Sequence, residues 1–421
     1  MGRQEELRAA GDLVGDALGG MVGVVGDVHR AVSGRVDAFL PPAARPVTLL
    51  HDTIAGAVYT GVAAAHRLAP ARSAEVLART GPEDAPPPSQ SRVGRAVLPA
   101  VNGLWGDRVA ERQPVLAVPM AARVGDRDLP LDAAAIRAAF PGATPRVVVF
   151  VHGLCESDAA WWLGTGAEPG RGPGSYGDLL RADLGLTPVY LRYNTGLRVS
   201  ENGRALSRLL SDLHAAWPVP LAELDLVGHS MGGLVARSAC HYGDEGDAAW
   251  VPAVRAVVTL GTPHLGAPLE QGAHATHWLL RRLPETEPLS RLLGVRSAGI
   301  KDLRYGAVVE EDWHGQDPDA FLRDCSTDVP FLEHATYYYV AASLTRDVDH
   351  PAGRLVGDGL VRYPSASGQG RSRRLPFEMG NGAHLGGLDH LSLLNHPDVY
   401  RRLAAWLNRP PEPLGPAAAA R

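Results

Sequence analysis

The pattern of hydrophobic positions divides the chain at about residue 110. Before this point apolar residues recur every three or four positions, which is the spacing of a helix with one apolar face. They are Leu7, Val14, Leu18, Met21, Val25, Val28, Val32, Val36 and Phe39. A second helix is predicted over residues 51–67, and a Pro-rich linker over 81–92. We therefore expect residues 1–110 to form a helical N-terminal extension.

Four glycines lie among the apolar positions of the first predicted helix. Gly11, Gly15, Gly19 and Gly23 recur every four residues, so another helix or a flat apolar surface could approach this backbone closely. The pattern favours a helix that packs on the main domain or on a second subunit. The alternative is a helix that lies in a membrane surface and buries its apolar face there.

After residue 110, strand and helix patterns alternate up to about residue 410. A hairpin is predicted from residues 114–120 and 127–131, and apolar runs predict strands over 146–153, 188–193, 224–228, 256–260 and 336–342. Helical patterns cover 201–217, 231–242 and 397–407. Continuous apolar runs suit strands that are buried on both faces of a parallel sheet. We expect an α/β domain over 111–410 with a mostly parallel, doubly wound sheet, followed by a disordered tail over 411–421.

Composition and charge narrow the class of protein. Of the 421 residues, 45% are hydrophobic and 21% are charged, which is typical of a globular chain. The net charge of −5 gives no basic surface for nucleic acid. Cys155, Cys240 and Cys325 are too few and too scattered for a structural zinc site or a disulfide framework, and at most one disulfide could form. We expect no metal and no organic cofactor.

The N-terminal residues bear on location. The early acids Glu5, Glu6 and Asp12 do not fit the basic start of a secretory signal. The most apolar stretch, 13–25, is interrupted by Asp16 and is too short to span a bilayer. The expected location is cytoplasmic. Peripheral attachment to a membrane is left open.

A strand, a tight turn and a helix meet at Gly228-His229-Ser230-Met231-Gly232. A G-x-S-x-G turn between a strand and a helix lifts the serine hydroxyl clear of the sheet and places it at the helix N-terminus. The motif alone is weak evidence, since a glycine-rich chain produces it by chance. The strand before it and the helix after it make Ser230 a candidate nucleophile.

A serine nucleophile needs a base and a carboxylate that orients the base. Asp358 lies in a Gly-rich turn after the predicted strand 336–342, and His390 follows it. The order serine, acid, histidine is typical of enzymes with this turn. Asp347 or Asp349 is the reserve acid, and His384 is the reserve base.

Five motifs occur in the order found in one enzyme family. They are VHGL at 151–154, GHSMGG at 228–233, GTPHLGAP at 261–268, GDGLV at 357–361 and DHLSLLNHPDVY at 389–400. The set resembles α/β-hydrolases of the lipase and esterase type, including bacterial lipases and lipase-like deacylases related to GPI inositol-deacylase, over about 115–408. The resemblance implies the α/β-hydrolase fold, with Ser230 as nucleophile, His390 as general base and then acid, and Asp358 fixing the imidazole.

Acyl transfer also needs donors aimed at the oxygen that becomes negative. The Met231 N–H follows the nucleophile at the start of the helix. The Leu154 N–H follows His152-Gly153, at the second oxyanion position of similar lipases. These two amides are the expected oxyanion hole.

A helical cap is expected over about 267–330, because nearly seventy residues separate two predicted strands there. The cap could present an apolar wall to an acyl chain, or its apolar residues could pack only on the core. Three tryptophans are candidate substrate-binding residues: Trp278 in the cap, and Trp161 and Trp162 after the oxyanion loop. The two tryptophans of the loop could instead anchor a helix.

These features predict a serine carboxylic-ester hydrolase acting on a lipid or other hydrophobic ester through an acyl-serine intermediate. A thioesterase or an acyltransferase would use the same triad. A hypothesis from a different class is an α/β-hydrolase scaffold that binds without catalysis. The expected partner is a hydrophobic ester or lipid. Contact of the N-terminal helices with a lipid surface and the formation of an oligomer are both left open.

Overall fold

The computed structural model describes residues 2–38, 45–82, 87–165, 174–281, 286–294, 296–316, 324–371 and 373–408. Three helices precede the sheet: α1 (Arg3–Asp37), α2 (Arg45–Thr80) and α3 (Arg92–Arg112). Predictions for Phe39, for the tail 411–421, and for parts of the linker and the cap (83–86, 282–285 and 317–323) lie outside the described residues. The rest of the linker is short, because residues 88–90 form a 3-10 turn directly before α3.

Helices α1 and α2 pack against each other along the glycines of α1, and together they form the N-terminal hairpin. A Cβ on Gly11 would lie 2.4 Å from the Cβ of Ala74, and a Cβ on Gly15 would lie 2.4 Å from the carbonyl oxygen of Arg67. Side chains larger than hydrogen would therefore push the two helices apart. The expected close approach is present at Gly11, Gly15 and Gly19, and α2 is the helix that makes it. It is absent at Gly23, where nothing described lies within 4 Å of an added Cβ.

The hairpin meets the rest of the chain near its N-terminal end. The carboxylate of Glu6 accepts hydrogen bonds from Ser89 N–H and Oγ–H at 2.8 and 2.7 Å. Ala9 is buried against Val109 and Leu116. By length and composition α1 is apolar enough to cross a membrane, with 28% of its most apolar window buried. The helix is longer than the stretch 13–25 that the sequence singled out, which is why it meets this criterion.

One mixed sheet forms the centre of the remaining chain. Its strands are β1 (Ala121–Val124), β2 (Arg127–Asp128), β3 (Arg146–Val151), β4 (Thr187–Arg192), β5 (Glu223–His229), β6 (Val254–Leu260), β7 (Thr336–Ser343) and β8 (Gly382–Gly386). Their order is β2-β1-β4-β3-β5-β6-β7-β8. Strand β1 is antiparallel to both of its neighbours, and the pairs from β4 to β8 are parallel.

Helices cover both faces of this sheet. They are α4 (Ala133–Ala139), α5 (Tyr176–Leu184), α6 (Val199–Ala216), α7 (Met231–Glu245), α8 (Pro268–Leu280), α9 (Glu287–Gly294), α10 (Ala298–Asp302), α11 (Pro351–Val356), α12 (Tyr363–Ala366) and α13 (Pro397–Leu407). Val147, Val149 and Val151 of β3 face the layer of α6 and α7, whereas Val148 and Phe150 face the layer of α5 and α13. Side chains of a strand alternate between faces, so a fully apolar strand buries both.

The predicted parallel strands and their helices are present, but the predicted first hairpin is displaced. Residues 114–116 form a 3-10 turn, and the first strand begins only at Ala121. Pro114 and Pro119 explain the shift, because a proline has no N–H to donate to a sheet ladder. Strand β8 was not predicted, since three of its five residues are glycine or histidine.

The segment after β6 forms the helices expected of a cap, and its second half packs on the core. Leu303, Val308 and Val309 are buried in the main hydrophobic cluster. Asp302 of α10 accepts hydrogen bonds from the Arg198 side chain at 2.5 Å and from Val199 N–H at 2.8 Å. This half therefore follows the second expectation, in which apolar residues pack on the core.

Candidate functional site

Ser230 occupies the turn between β5 and α7 with an unusual backbone conformation. Its φ and ψ are 52° and −123°, values that side-chain-bearing residues rarely adopt. The turn is possible because Gly228 and Gly232, which lie two residues before and two residues after Ser230, have no side chain. A Cβ on Gly232 would lie 2.1 Å from the carbonyl oxygen of Val151, and a Cβ on Gly228 would lie 2.5 Å from Gly233. The sequence motif and the strand-turn-helix context thus lie where the sequence predicts them.

Asp358 and His390 are brought together by two loops at the carboxyl edge of the sheet. Oδ2 of Asp358 lies 2.7 Å from Nδ1 of His390, and both side chains are buried. The other carboxylate oxygen accepts hydrogen bonds from Leu360 N–H at 2.9 Å and from Val361 N–H at 2.8 Å. The His390 N–H donates to the Asp358 carbonyl at 3.0 Å, which fixes the two main chains as well. This geometry lets Nδ1 of His390 donate a hydrogen bond to the Asp358 carboxylate.

Ser230 lies at the same edge as this pair. The Ser230 N–H donates to the Leu260 carbonyl at 2.8 Å. A Cβ on the next residue, Gly261, would lie 3.1 Å from both Cε1 and Nδ1 of His390, so Leu260 and Gly261 adjoin the Ser230 main chain and the His390 ring. The Ser230 side chain is 9% exposed and makes no hydrogen bond to any side chain or carbonyl within the described ranges. The hydroxyl is therefore sheltered from solvent and makes no hydrogen bond to a described residue, His390 included.

The two expected oxyanion donors flank Ser230. The loop after β3 passes close to the serine, since a Cβ on Gly153 would lie 3.0 Å from the Ser230 Cβ. The Leu154 N–H in this loop donates no hydrogen bond to a residue that the structure describes. Met231 is the first residue of α7, where an N–H has no acceptor within its helix and the helix dipole favours negative charge. Both amides are thus available to an anionic oxygen.

Glu156 is a site residue that the sequence reasoning missed. Its Oε2 accepts from the Gly153 N–H at 2.7 Å, and its carboxylate lies 3.0 Å from Nδ1 of His229. Burial alone would raise the pKa of Glu156, but the charge of His229 and the hydrogen bonds from His229 and Gly153 lower it to about 2. A carboxylate three residues after the His-Gly pair was the available signal.

The imidazole of His229 links Glu156 to the base. Its Nε2 lies 3.1 Å from the carbonyl oxygen of His390, and its ring lies 4.8 Å from the His390 ring. Burial opposes the charged imidazole, but the Glu156 carboxylate and the hydrogen bonds to Glu156 and His390 raise the pKa of His229. His229 therefore lies between Glu156 and the main chain of His390, with a hydrogen-bond partner at each ring nitrogen.

The three candidate substrate-binding tryptophans lie in different environments. Trp161 is fully buried, with its ring 4.9 Å from Phe150 and 6.4 Å from His229, so it lies beneath the site as a core residue. Trp162 is 41% exposed and rests on Tyr190 at 4.5 Å. Trp278 lies on α8, and its side chain is outside the described part of the structure. Of the two tryptophans whose side chains the structure describes, Trp162 is the one with a ring face that a substrate could reach.

The reserve acids and the reserve base lie apart from the pair described above. Asp349 is exposed and accepts a hydrogen bond from Arg354 at 2.7 Å, and Asp347 caps the same turn through Asp349 N–H. His384 lies on β8 and stacks on Tyr363 at 4.4 Å. The three cysteines are unpaired, and burial raises the pKa of Cys155 to about 11. Within the described ranges no cluster of three His, Cys, Asp or Glu could hold a metal ion.

Comparison with known proteins gives one family match and several similar folds. Residues 204–319 match the family model of the PGAP1-like alpha/beta domain. No curated protein matches the chain. Among solved structures, the mature lipase BlEst2 of Bacillus licheniformis is similar at 19% identity and a TM-score of 0.41, covering 62% of this chain and 91% of that one.

Two further solved structures are similar over a comparable share of the chain. Phospholipase PlaB from Legionella pneumophila has 15% identity and a TM-score of 0.39, covering 63% of this chain and 60% of its own. An alpha/beta hydrolase fold protein from Chitinophaga pinensis has 11% identity and a TM-score of 0.35, covering 63% of this chain and 90% of its own. The family match begins within α6 and runs through α7, and thus includes Ser230. With its mostly parallel sheet and the strand-turn-helix around Ser230, the chain has the α/β-hydrolase fold, preceded by an N-terminal helical extension.

Proposed function

We propose that this chain is a serine ester hydrolase that cleaves a lipid or another hydrophobic carboxylic ester. The observation that carries the proposal is the arrangement at the carboxyl edge of the sheet. A serine with a positive φ stands at a helix N-terminus, and the buried Asp358–His390 pair lies at the same edge of the sheet. This set is what nucleophilic acyl transfer requires.

The proposed reaction proceeds through an acyl-serine intermediate. Nε2 of His390 removes the proton of the Ser230 hydroxyl while Oγ attacks the ester carbonyl carbon. The N–H groups of Leu154 and Met231 stabilise the negative oxygen of the tetrahedral intermediate. His390 then gives its proton to the leaving alcohol, and a water molecule activated by the same histidine releases the acid. Asp358 keeps Nδ1 protonated throughout and stabilises the imidazolium as it forms.

Exposed leucines beside the acid and the base support an apolar substrate. Leu360 is two residues after Asp358, Leu391 directly follows His390, and Leu344 packs beside Gly359. All three leave a large part of their side chains accessible. Water-exposed leucines at the rim of a reaction site favour a substrate that buries them.

Hydrolysis of p-nitrophenyl esters from acetate to palmitate tests the proposal, with Ser230→Ala as the variant. Ser211→Ala is the matched control, because its hydroxyl bonds within helix α6. We expect activity in wild type and Ser211→Ala and none above background in Ser230→Ala. Equal activity of Ser230→Ala and wild type would refute the proposed nucleophile. Transfer to an added alcohol in preference to water would identify an acyltransferase, and thioester cleavage alone a thioesterase.

The N-terminal hairpin is proposed to contact a lipid surface. Val14, Met21, Val25, Val32 and Val36 of α1 are each about half exposed and recur in steps of seven and four, so they form one stripe. Helix α2 exposes a second set, Val47, Leu50, Ile54 and Val58, in steps of three and four. Exposed apolar stripes of this length on a chain with an apolar substrate are typical of attachment to lipid.

On this proposal residues 111–410 are the catalytic domain, and the hairpin attaches this domain to a membrane surface. The proposed location is thus cytoplasmic, with peripheral binding to a membrane. Flotation of the full chain with phosphatidylcholine vesicles is the test. We expect co-flotation that 1 M salt does not reverse, because the contact is apolar. A stable dimer with no vesicle binding would instead show that the stripe covers a second copy of this chain.

A further inference from the structure

His229 is a fully buried imidazole with an acceptor at each ring nitrogen. Nδ1 lies 3.0 Å from Oε1 and 3.1 Å from Oε2 of Glu156. Nε2 lies 3.1 Å from the carbonyl oxygen of His390. An ionised carboxylate and a carbonyl oxygen only accept hydrogen bonds, so both ring nitrogens must donate. A histidine that donates from both nitrogens carries a positive charge.

Glu156 extends the same network to the oxyanion loop. Its Oε2 also accepts from the Gly153 N–H at 2.7 Å, and its own N–H donates to the Gly153 carbonyl at 3.3 Å. One buried ion pair therefore joins three parts of the site: the loop that carries the Leu154 amide, the elbow that carries Ser230, and the main chain of His390. Nothing in the triad itself requires this pair.

We propose that the Glu156–His229 ion pair is a positioning device for the general base. The charged His229 holds the main chain of His390 and so orients its ring between Asp358 and Ser230. This inference rests on the proposed function, because it takes His390 as the base. The hydrogen bonds of these two side chains reach the Gly153 N–H and the His390 carbonyl, and not the Ser230 hydroxyl or the His390 ring nitrogens, so both are assigned as positioning residues.

Deprotonation of His229 would break this arrangement. A neutral ring has one donor, and the Glu156 carboxylate retains it at Nδ1 because charged acceptors bind more strongly. The lone pair of Nε2 would then face the His390 carbonyl, and that hydrogen bond would be lost. The wild-type enzyme should therefore lose kcat at alkaline pH.

The other titratable groups around His229 do not share its behaviour. Burial lowers the pKa of His152, so that ring is neutral in the alkaline range. Burial raises the pKa of Tyr193, which stacks on His152, far above its ordinary value, and the pKa of Cys155 rises to about 11. Asp358 and His390 face the ring from the acid and base loops. Asp158, further along the Glu156 loop, acts on His152.

Glu156→Gln is the variant that separates positioning from simple stability. The glutamine oxygen can accept from the Gly153 N–H, and its amide can donate to Nδ1 of a neutral His229, which leaves Nε2–H for the His390 carbonyl. The network then persists without charge at every pH. We expect kcat near pH 7 within about threefold of wild type and no alkaline loss up to pH 10. The proposal fails if wild type shows no alkaline loss, or if Glu156→Gln loses kcat at the same pH as wild type.

A second comparison removes only the bond to His390. Glu156→Gln/His229→Phe buries no charge and fills the ring volume, and Glu156→Gln is its matched control. We expect kcat about 10-fold to 100-fold below the control with KM within about twofold, because a misplaced base slows the chemical step and not binding. Serine labelling by a fluorophosphonate should slow by the same factor.

Each result has a defined meaning. Equal kcat in the double variant and its control would overturn the inference while leaving the proposed function intact, provided that Ser230→Ala is inactive. Activity in Ser230→Ala would remove the proposed function itself. If the double variant does not fold, the pH profiles of wild type and Glu156→Gln decide the question alone.

Discussion

The catalytic end of the sheet and the N-terminal hairpin use glycine for the same purpose with different consequences. At the elbow, Gly232 lets α7 approach the end of β3, and a Cβ there would lie 2.1 Å from the Val151 carbonyl. In the hairpin, Gly15 lets α1 approach α2, and its Cβ would lie 2.4 Å from the Arg67 carbonyl. Both are close backbone contacts that a methyl group would obstruct.

The surroundings of these contacts differ. Around the elbow, buried polar groups such as Asp358 and His229 each have defined partners, so each residue has one role. Along the hairpin, many exposed valines and leucines each contribute in the same way to an apolar surface. Single substitutions should therefore have large effects at the elbow and small, additive effects on the hairpin.

The largest expected effect comes from Asp358→Asn. The asparagine oxygen can still accept from Leu360 and Val361 N–H, so the turn should hold. Its amide would donate to Nδ1 of His390, which forces the proton onto Nε2 and removes the base. We expect kcat to fall about 10³-fold to 10⁴-fold with little change in melting temperature. A loss below tenfold would mean that another carboxylate orients the imidazole, and Asp347→Asn and Asp349→Asn are the controls.

Gly232→Ala tests the elbow by its packing alone. The new methyl group meets the backbone oxygens of Val151, the last residue of β3, and of His152, which directly follows it, and this buried main chain cannot move freely. We expect the free energy of unfolding to drop by about 2–3 kcal/mol, together with a loss of esterase activity. Gly20→Ala is the matched change on the hairpin, where nothing lies within 4 Å of the new Cβ. It should gain about 0.5–1 kcal/mol of local helix stability and leave kcat unchanged.

Urea unfolding of the two alanine variants measures these differences. Hydrogen exchange over α1 reports the local gain that global unfolding does not resolve. Equal losses in both variants would mean that the hairpin packs as tightly along Gly20 as the elbow does. That result would remove the distinction between the two regions.

A third prediction uses the far end of β5, away from Ser230. Burial raises the pKa of Asp225 to about 7, against the favourable charges of Arg255 and Arg146. A carboxyl whose pKa is raised in the folded state stabilises the fold only while it is protonated, so stability falls as the pH rises through 7. We expect wild type to lose about 1.4 kcal/mol between pH 6 and pH 8 from this group. Asp225→Asn should remove that part of the slope in urea unfolding, and an unchanged slope would exclude Asp225 as its source.

The smallest effects are expected for single polar substitutions in the hairpin stripe. Met21→Ser, Val25→Ser and Ile54→Ser should each weaken vesicle binding by about threefold to tenfold, and the triple variant by roughly their product. Turnover of a water-soluble ester should not change. Gly20→Ser and Gly34→Ser place serine outside the stripe and are the controls. If one substitution abolished binding, the hairpin would contain a specific site and not a repeated surface.

The sequence predicts the parts of this molecule that depend on local pattern. The apolar runs of β3 and β5 identify buried parallel strands, and the glycines around Ser230 identify the elbow, because those residues are required by their own backbone geometry. The closeness of Asp358 and His390 was inferred from order along the chain and from a family resemblance. The roles of the proposed triad and oxyanion residues remain predictions that the experiments above test.

Other features depend on contacts that a pattern does not contain. Glu156 looks like any polar residue of a loop, and only the fold brings it to His229, 73 positions further along the chain. Trp161 could equally have lined a pocket, but the fold buries it on Phe150. Strand β1, which lies next to the edge strand β2, and the edge strand β8 are short and lack a full apolar run, so periodicity did not locate them.

Reaction with a fluorophosphonate probe tests the central claim most directly. The probe labels only a serine that a neighbouring base activates, and intact-mass analysis counts the adducts without any choice of substrate. The account predicts one adduct on the folded wild-type chain, located at Ser230 by peptide mapping, the same adduct on Ser211→Ala, and none on Ser230→Ala. A folded wild-type chain that takes up no probe, or an adduct that persists in Ser230→Ala, would contradict it.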